Sequence, residues 1–439
     1  MPGPDVVIAG AGPAGSVLAL LLAREGLEVR LLDRKTFPRG KACGEVLNPA
    51  GVSALYELGL GEAVLSAGPA RLVGWDMSIP EGARMAGSFS TTAPLGSLPA
   101  QMGLPDRMGL PAQDASSAWG ISRSVLDTVL METARDSGVQ VREGVQVVGV
   151  ESAGKGGRLP QVTLRGDGGG QELLEGRVVV GADGLGSRVS RSLGWARPVR
   201  GPAKASFSFR LEGRRSNQER GVLFLGGLRT LGLAPVTADG RRWNATLVLA
   251  GDLLKQESDR GRLTSAPEEI LWETLERAGV DWTVPPTIVD GPWKSGSFHR
   301  PTRRVAGGGV LLVGDAAGYY DPLTGQGISR AIRGAQVAAA PILAELARGT
   351  SRKAGRGDPD RGAQGEFRGY PRAAHRLMAP SRRVQKLIEA VLTRPGLRGR
   401  MVGWMAGRPG AADALIRVTG DVSPPHSLLK LWNYRADPG

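Results

Sequence analysis

A chain of 439 residues exceeds what one small core organises, which sets an expectation of two packed units or one large α/β unit with an insertion. Hydrophobic residues at 41% and charged residues at 22% exclude a disordered chain, and the single cysteine, Cys43, excludes internal disulfides and Cys-rich metal sites. The formal charge of +14 is spread along the chain with no nucleic-acid reader motif beside it, so nucleic acid is set aside as a partner. The charge then reads as a basic surface, an attraction for phosphate-bearing cofactors, or a face for an anionic membrane.

Asp5 leads into the β-branched run Val6-Val7-Ile8, and the turn Gly10-Ala11-Gly12-Pro13-Ala14-Gly15 follows. An apolar helix from Ser16 to Arg24 ends near Gly26, and a second strand, Leu27 to Leu32, is closed by Asp33. No basic segment precedes the apolar start, so a secretory leader is not expected. Apolar stretches such as Val17 to Ala23 are too short to span a bilayer, which points to a cytoplasmic protein with peripheral membrane contact left open. Asn48 and Pro49 form an N-cap and first-turn pair for a helix through Val52, Leu55 and Leu58, stopped by Gly59.

Residues 81–118 are rich in Gly, Pro, Met and Ser without sustained period and read as an irregular insertion. Ile121 to Ser137 predicts an amphipathic helix with Val125, Leu126, Val129 and Leu130 on one face. Short strands are expected around Val139 to Val150, Gln161 to Leu164 and Val178 to Val180. Alternating segments between Lys204 and Ala250 predict an antiparallel sheet, and Glu268 to Ala278 a helix. Val310 to Val313 reads as a buried parallel strand, and a long helix is expected from Gly327 to Ala347. Residues 349–365 read as an exposed charged loop, and Tyr370 to Leu431 as mostly helical with interspersed basic residues.

In the glycine turn each residue has a physical task. Gly10 permits the tight turn, Gly12 lets backbone approach a pyrophosphate, and Gly15 lets helix and strand pack closely. Pro13 and Ala14 sit at a helix N-terminus whose free N–H groups favour phosphate, and Asp33, with Arg34 beside it, is placed to accept ribose hydroxyls. Spacing alone leaves FAD and NAD both open.

Three further segments follow in order: Phe37-Pro38-Arg39-Gly40-Lys41-Ala42-Cys43-Gly44-Glu45, then Val180-Gly181-Ala182-Asp183-Gly184, then Gly314-Asp315-Ala316-Ala317-Gly318-Tyr319-Tyr320-Asp321-Pro322-Leu323-Thr324-Gly325-Gln326-Gly327-Ile328. With the glycine turn they resemble, over nearly the whole chain, the FAD-dependent oxidoreductases that include geranylgeranyl reductases, halogenases and para-hydroxybenzoate hydroxylase-like monooxygenases. The resemblance implies FAD as cofactor and NAD(P)H as electron donor. It implies flavin-driven catalysis with Cys43, Pro322, Gly325, Gln326 and Gly327 near the ring. Lys41, Gly44, Gly314, Asp315 and Ile328 would line the cofactor site, Arg123 would meet the FAD phosphates, and Asp183 would serve both FAD and the donor.

Departures matter as much. Ring hydroxylases usually carry histidine where Gly318 stands, and the halogenase motif W-x-W-x-I-P is only partly echoed by Trp75-Asp76-Met77-Ser78-Ile79-Pro80. The aromatic-rich prenyl-reductase motif ending in Phe-Pro is missing, so the substrate region matches no branch closely. Cys43 reads equally as a group at the flavin edge and as a small buried apolar residue. His299, His375 and His426 are far apart in sequence, and no metal site is expected.

The resulting expectation is an α/β chain with a Rossmann-type FAD-binding domain on a parallel sheet (1–80, 119–200 and 300–347). It is interleaved with an antiparallel-sheet substrate domain (201–299) and followed by a loop and helical C-terminal region (348–439). The expected activity is reduction or hydroxylation of a hydrophobic small molecule by a monomer or homodimer; a non-catalytic electron-transfer flavoprotein at a membrane surface is the rival.

Overall fold

The computed structural model describes residues 3–90, 116–154, 157–166, 168–199, 203–296, 298–353 and 367–434. Its centre is a six-stranded sheet in the order Ala306–Gly307, Val310–Leu312, Val178–Gly181, Val6–Ala9, Val29–Leu32, Gln140–Arg142. All neighbours are parallel except the first pair. Side chains alternate between its faces. Val6 and Ile8 pack under the helices Pro13–Arg24 and Gly327–Lys353, while Val7 and Ala9 face Val162, Leu164 and Trp195. Burial on both faces explains why these strands read as continuous apolar runs.

The first helix begins at Pro13, three residues earlier than expected, because proline at the first helical position has the right φ and lacks only an N–H with no helical partner. The Asn48 side chain accepts the Gly51 N–H at 3.0 Å and caps the helix Pro49–Glu57. In the helix Arg123–Asp136, Leu126 and Leu130 are buried but Val125 stands outward, 37% exposed, so it leaves the predicted apolar face. The long helix runs to Lys353, past Ala347 and into the stretch expected as loop. Residues 354–365 of that loop lie outside the described residues.

A seven-stranded sheet stands beside the first, in the order Trp282–Gly296, Lys204–Arg215, Arg242–Ala250, Arg229–Pro235, Arg220–Leu225, Gly74–Ser78, Arg84–Ser88. The pairing is antiparallel except between Arg220–Leu225 and Gly74–Ser78. One face carries Phe209, Leu231 and Leu247 onto Ile270, Leu271 and Leu275 of the helix Pro267–Ala278. Each such aliphatic side chain, fully buried, contributes about 1.5–3 kcal/mol. The C-terminal helices Tyr370–Leu392, Pro395–Ala406 and Pro409–Thr419 close against the far end, through Val402, Met405 and Ile416 on Met77 and Phe89.

Two boundaries differ from expectation. Gly74–Ser78 was expected within the FAD-binding part and Arg84–Ser88 within the irregular insertion, yet both are strands of the substrate-side sheet. Gly87 hides the signal: a Cβ there would lie 2.5 Å from Ile416, so close packing of a helix replaces the apolar side chain that periodicity looks for. Residues 91–115 of the insertion lie outside the described residues.

Candidate active site

The carboxyl ends of the parallel strands gather Gly10, Asp33, Ala182 and Gly314 at one rim, the usual place for a ligand in a doubly wound sheet. Gly10 has φ +108°, and a Cβ on it would lie 2.5 Å from the Ala182 carbonyl oxygen; on Gly15 it would lie 1.9 Å from the Gly10 oxygen. These two glycines make the turn possible by packing. Gly12 differs: its nearest neighbours would be the Arg123 and Arg39 guanidinium groups, at 3.7 and 4.0 Å, across a cavity that Gly12, Pro13 and Ala14 line. Asp33 is buried and accepts the Ala11 N–H at Oδ2 and the Lys35 N–H at Oδ1, each at 2.9 Å, and with Arg39 also on Oδ2 it keeps a lone pair on Oδ1 for a ribose hydroxyl.

Cations converge opposite this helix start. Arg123 holds Asp127 by two hydrogen bonds of 2.7 Å, and Arg39 reaches Asp127 at 3.2 Å and Asp33 at 3.4 Å. Burial works against the Arg123 charge, but Asp127 and Cys43 outweigh it, so it stays ionised. Burial, reinforced by Arg123, pulls Lys41 below its ordinary value despite Asp315 and Asp127. The Arg39 Nε is buried without a hydrogen-bond partner. A crowded set of cations with an unused donor, facing helix N–H groups and a glycine that leaves room, fits the diphosphate of FAD.

The Cys43 segment is stapled to the antiparallel sheet. The Cys43 N–H donates to Ser208 Oγ at 3.1 Å, and its carbonyl accepts from Asn244 Nδ2 at 3.0 Å and Thr246 Oγ1 at 2.9 Å. Glu45 has φ +55°; its buried carboxylate accepts the Arg123 N–H at 2.8 Å and an Arg210 guanidinium N–H. Burial pushes the Glu45 carboxyl up, opposed chiefly by Arg210. Sequence reasoning quoted Glu45 within a motif but gave it no role, and missed Arg210 entirely, because a strand arginine carries no local signal of its buried partner.

On the far wall, Gly314 has φ +58° and would place a Cβ 3.0 Å from that of Ala14, so the strand end Val310–Leu312 delivers Asp315 against the first helix. Gly325 and Gly327, at the start of the long helix, have nothing within 4 Å of where a Cβ would be. Open space at a helix N-terminus suits a flat ring lying on backbone, with N–H groups able to stabilise negative charge beside them. Tyr319 also lines the cavity, and burial together with Asp315 and Asp321 pushes its phenol well up, keeping it protonated.

Thus Gly12, Pro13, Ala14, Lys41, Cys43, Gly44, Arg123, Gly314, Asp315, Pro322, Gly325, Gly327 and Ile328 line one cavity, while Gly10, Gly15 and Asp33 build the turn behind it. Three predicted residues sit otherwise. Arg34 is exposed and apart from the cavity. Asp183 does not line the cavity itself, though Ala182 and Gly184 do; its Oδ2 accepts the Arg188 N–H at 2.6 Å and the Val189 N–H at 3.3 Å of the helix Arg188–Ser192, while its Oδ1 is buried without a hydrogen-bond partner. Gln326 points away from the ring side, bonding Thr324, Ser381, Arg330 and Asp421 and so tying the loop to the C-terminal helices. Among the described residues no cluster of His, Cys, Asp and Glu could hold a metal ion.

The cavity continues beyond the ring wall over the sheet, lined by Leu223, Leu225, Ala234, Val248 and, from the C-terminal helices, Ile388 and Leu392. A family model described as an FAD binding domain matches residues 4–355. The chain belongs to the FAD-binding domain family. Its cofactor is FAD, and relatives named reductases and monooxygenases place it among FAD-dependent oxidoreductases. It is 29% identical over 349 residues to a menaquinone reductase of Mycobacterium tuberculosis, covering 76% of this chain and 75% of that one. It is 25% identical over 352 residues to conditioned medium factor receptor 1 of Dictyostelium discoideum, covering 77% of this chain but only 63% of that longer protein. Among solved structures, a flavoprotein/dehydrogenase from Cytophaga hutchinsonii shares the fold with a TM-score of 0.74 at 18% identity, over 97% of this chain and 96% of the other.

Proposed function

We propose that the protein oxidises NAD(P)H through bound FAD and saturates a carbon–carbon double bond in a hydrophobic, isoprenoid-like small molecule. The observation that carries this reading is the continuity of one cavity from the Gly12 cradle, past Gly325 and Gly327, to an apolar tunnel over the antiparallel sheet. FAD when bound supplies the redox step, taking two electrons from the donor and delivering them to the substrate. Arg39, Lys41 and Arg123 would hold its diphosphate, Asp33 and Asp315 would accept from its hydroxyls, and the N–H of Gly327 at the helix start would stabilise negative charge on the ring side, the Gly325 N–H being donated to the Pro322 carbonyl at 2.9 Å. Leu225, Val248 and Leu392 exclude water and orient an apolar substrate. The similarity to a menaquinone reductase supports a reductive outcome.

The test is turnover with NADPH under strict anaerobiosis, with mass spectrometry of the product. A product heavier by two hydrogens, formed without oxygen, is expected. A product heavier by one oxygen atom, formed only in air, would replace this reading with hydroxylation.

A second reading, that the protein takes its substrate at a membrane surface, is favoured by one patch. Leu429 is 81% exposed and Trp432 69% exposed on the turn Pro425–Asn433, near Lys430, and Leu387 is exposed on the helix that also supplies Ile388 and Leu392 to the cavity. Arg383 and Lys386 are exposed on the same helix within four residues of Leu387, and Arg394 is exposed just past its end. Among the described residues no helix is long and apolar enough to cross a membrane, so contact would be peripheral. Flotation with vesicles rich in anionic lipid is expected to carry the protein, and Leu429→Ser with Trp432→Ser to abolish it; wild-type protein left in the pellet fraction removes this reading.

A further inference from the structure

The apolar tunnel contains one polar cluster that the cofactor does not use. Lys204 Nζ lies 2.7 Å from Asp321 Oδ2 and 2.5 Å from Glu389 Oε1, and the Tyr320 hydroxyl donates to the other Glu389 oxygen at 2.6 Å. Lys204, Asp321 and Glu389 all line the cavity. An ammonium has three donors, and two go to these carboxylates; the third has no protein partner among the described residues. Lys204 is enclosed, its side chain 16% exposed, so a donor left unmet there costs free energy unless a ligand takes it. Burial pulls the ammonium down, but Asp321 and Glu389 more than offset it, and the group titrates above 10.5 and stays charged.

The position is also informative. Lys204 lies four residues along its strand from Ser208, whose hydroxyl meets Cys43 beside the ring wall, which at a strand rise of about 3.3 Å per residue separates the two backbone positions by about 13 Å. Lys204, Ser206 and Ser208 share one face by the two-residue period. Asp321 of the cluster precedes Pro322 on the ring-side wall while Glu389 comes from the C-terminal helix Tyr370–Leu392, so the cluster lies where the ring wall meets the apolar end of the cavity, placed for a polar group of a substrate.

Its charge decides what that group is. One ammonium and two carboxylates carry a formal net charge of −1 toward the cavity, since Lys386, 5.9 Å from the Tyr320 ring, and Arg382 do not line it, and an incoming anion there loses hydration and meets repulsion. A neutral oxygen can accept the spare N–H without that cost. Resting on the reading of the tunnel as the substrate site, we infer that Lys204 is the donor that anchors the substrate, and that the anchored group is a neutral carbonyl or hydroxyl oxygen, not a carboxylate or phosphate.

The experiment uses the FAD-loaded full chain and equilibrium binding followed by flavin absorbance perturbation. The probes are a naphthoquinone with a short isoprenoid chain and an isoprenoid monophosphate of matching length. Wild-type protein is expected to bind the quinone at least about tenfold more tightly. Lys204→Met is expected to weaken quinone binding about ten- to hundredfold, the loss of one hydrogen bond to a charged donor. Glu389→Gln, which keeps an acceptor for Lys204, is expected to improve phosphate binding about tenfold and leave quinone binding within about threefold. Equal affinity for both probes, or quinone binding unchanged by Lys204→Met, would overturn the inference while leaving the tunnel as a substrate site. Wild-type protein that binds neither probe overturns the tunnel reading and the inference with it. If Lys204→Met loses FAD and so fails to fold, the Glu389→Gln response decides.

Discussion

Two glycines of the turn, Gly15 and Gly12, separate packing from ligand approach, and alanine at each distinguishes them. At Gly15 the new Cβ would lie 1.9 Å from the Gly10 carbonyl oxygen and 3.2 Å from the Ala182 Cβ. The new Cβ meets a backbone oxygen that cannot swing aside, because the turn is pinned by Gly10 N–H to Leu32 O at 2.7 Å and Ala182 N–H to Ala9 O at 2.8 Å. Helix and strand must part by more than an ångström, which costs about 3 kcal/mol or more. At Gly12 φ is −81°, which alanine adopts freely, and the nearest atoms are side-chain nitrogens at 3.7 Å and beyond. Gly12→Ala therefore leaves apo stability within about 0.5 kcal/mol, or raises it slightly by restricting the unfolded chain. Its methyl group instead occupies the space a pyrophosphate needs, displacing one hydrogen bond to a charged group and weakening FAD about ten- to hundredfold. Thermal unfolding of the FAD-stripped proteins and fluorescence titration with FAD measure both quantities. Gly15→Ala should lower the apo midpoint by about 5 °C or more, and Gly12→Ala should not. Equal loss of apo stability in the two variants, or wild-type FAD affinity in Gly12→Ala, would refute the division of roles.

Arg210→Met leaves the buried Glu45 carboxylate without its cation and should cost about 3–5 kcal/mol in urea unfolding, with Glu45→Gln in the same chain recovering more than half. For Glu389, burial pushes the carboxyl up, but Lys204 and Tyr320 outweigh it and hold it below its ordinary 4.5. The stability it contributes is complete above pH 4.5 and is lost as pH falls through the lowered value, so the gap in urea midpoint between wild type and Glu389→Gln should be full at neutral pH and close in acid. A gap that persists in acid would show that the variant acts through packing. Asp183→Ala should cost about 1 kcal/mol through the lost helix contacts and leave FAD affinity within about twofold; a larger affinity loss would restore Asp183 to the cofactor site.

What the sequence made legible was local. The glycine turn, Asp33 and the segment from Gly314 to Ile328 each carry their meaning within a few residues, because a strand end, a turn and a helix start are contiguous in the chain. Lys204, Arg210 and Glu389 were not legible for the opposite reason. Their partners lie 117, 165 and 185 residues away, and a single charged residue on a strand or helix reads as solvated surface until the fold buries it. The strand Arg84–Ser88 was hidden because Gly87 answers to a helix that arrives more than three hundred residues later. Gln326 shows a further limit: its place in a motif put its backbone near the ring in the reading, but contacts with Thr324 and with three later residues, Arg330, Ser381 and Asp421, engage its side chain.

These long-range partners also explain how the two halves of the cavity hold one shape. The segment from Cys43 to Glu45 is hydrogen-bonded on one side to Ser208, Asn244, Thr246 and Arg210 of the antiparallel sheet, and on the other to the Arg123 N–H at the start of a Rossmann helix. Gln326 and Asn48 meet at Asp421, so the loop before the long helix and the helix Pro49–Glu57 are both fixed to the C-terminal turn. A group that orders the cations around Gly12 thereby orders the segment that forms the ring-side end of the substrate tunnel. Binding free energies are reciprocal, so a ligand seated in the tunnel must tighten FAD by the same factor that FAD tightens the ligand. The polar staples on Cys43 thus join the antiparallel sheet under the apolar end of the cavity to the cations around Gly12 through one short segment.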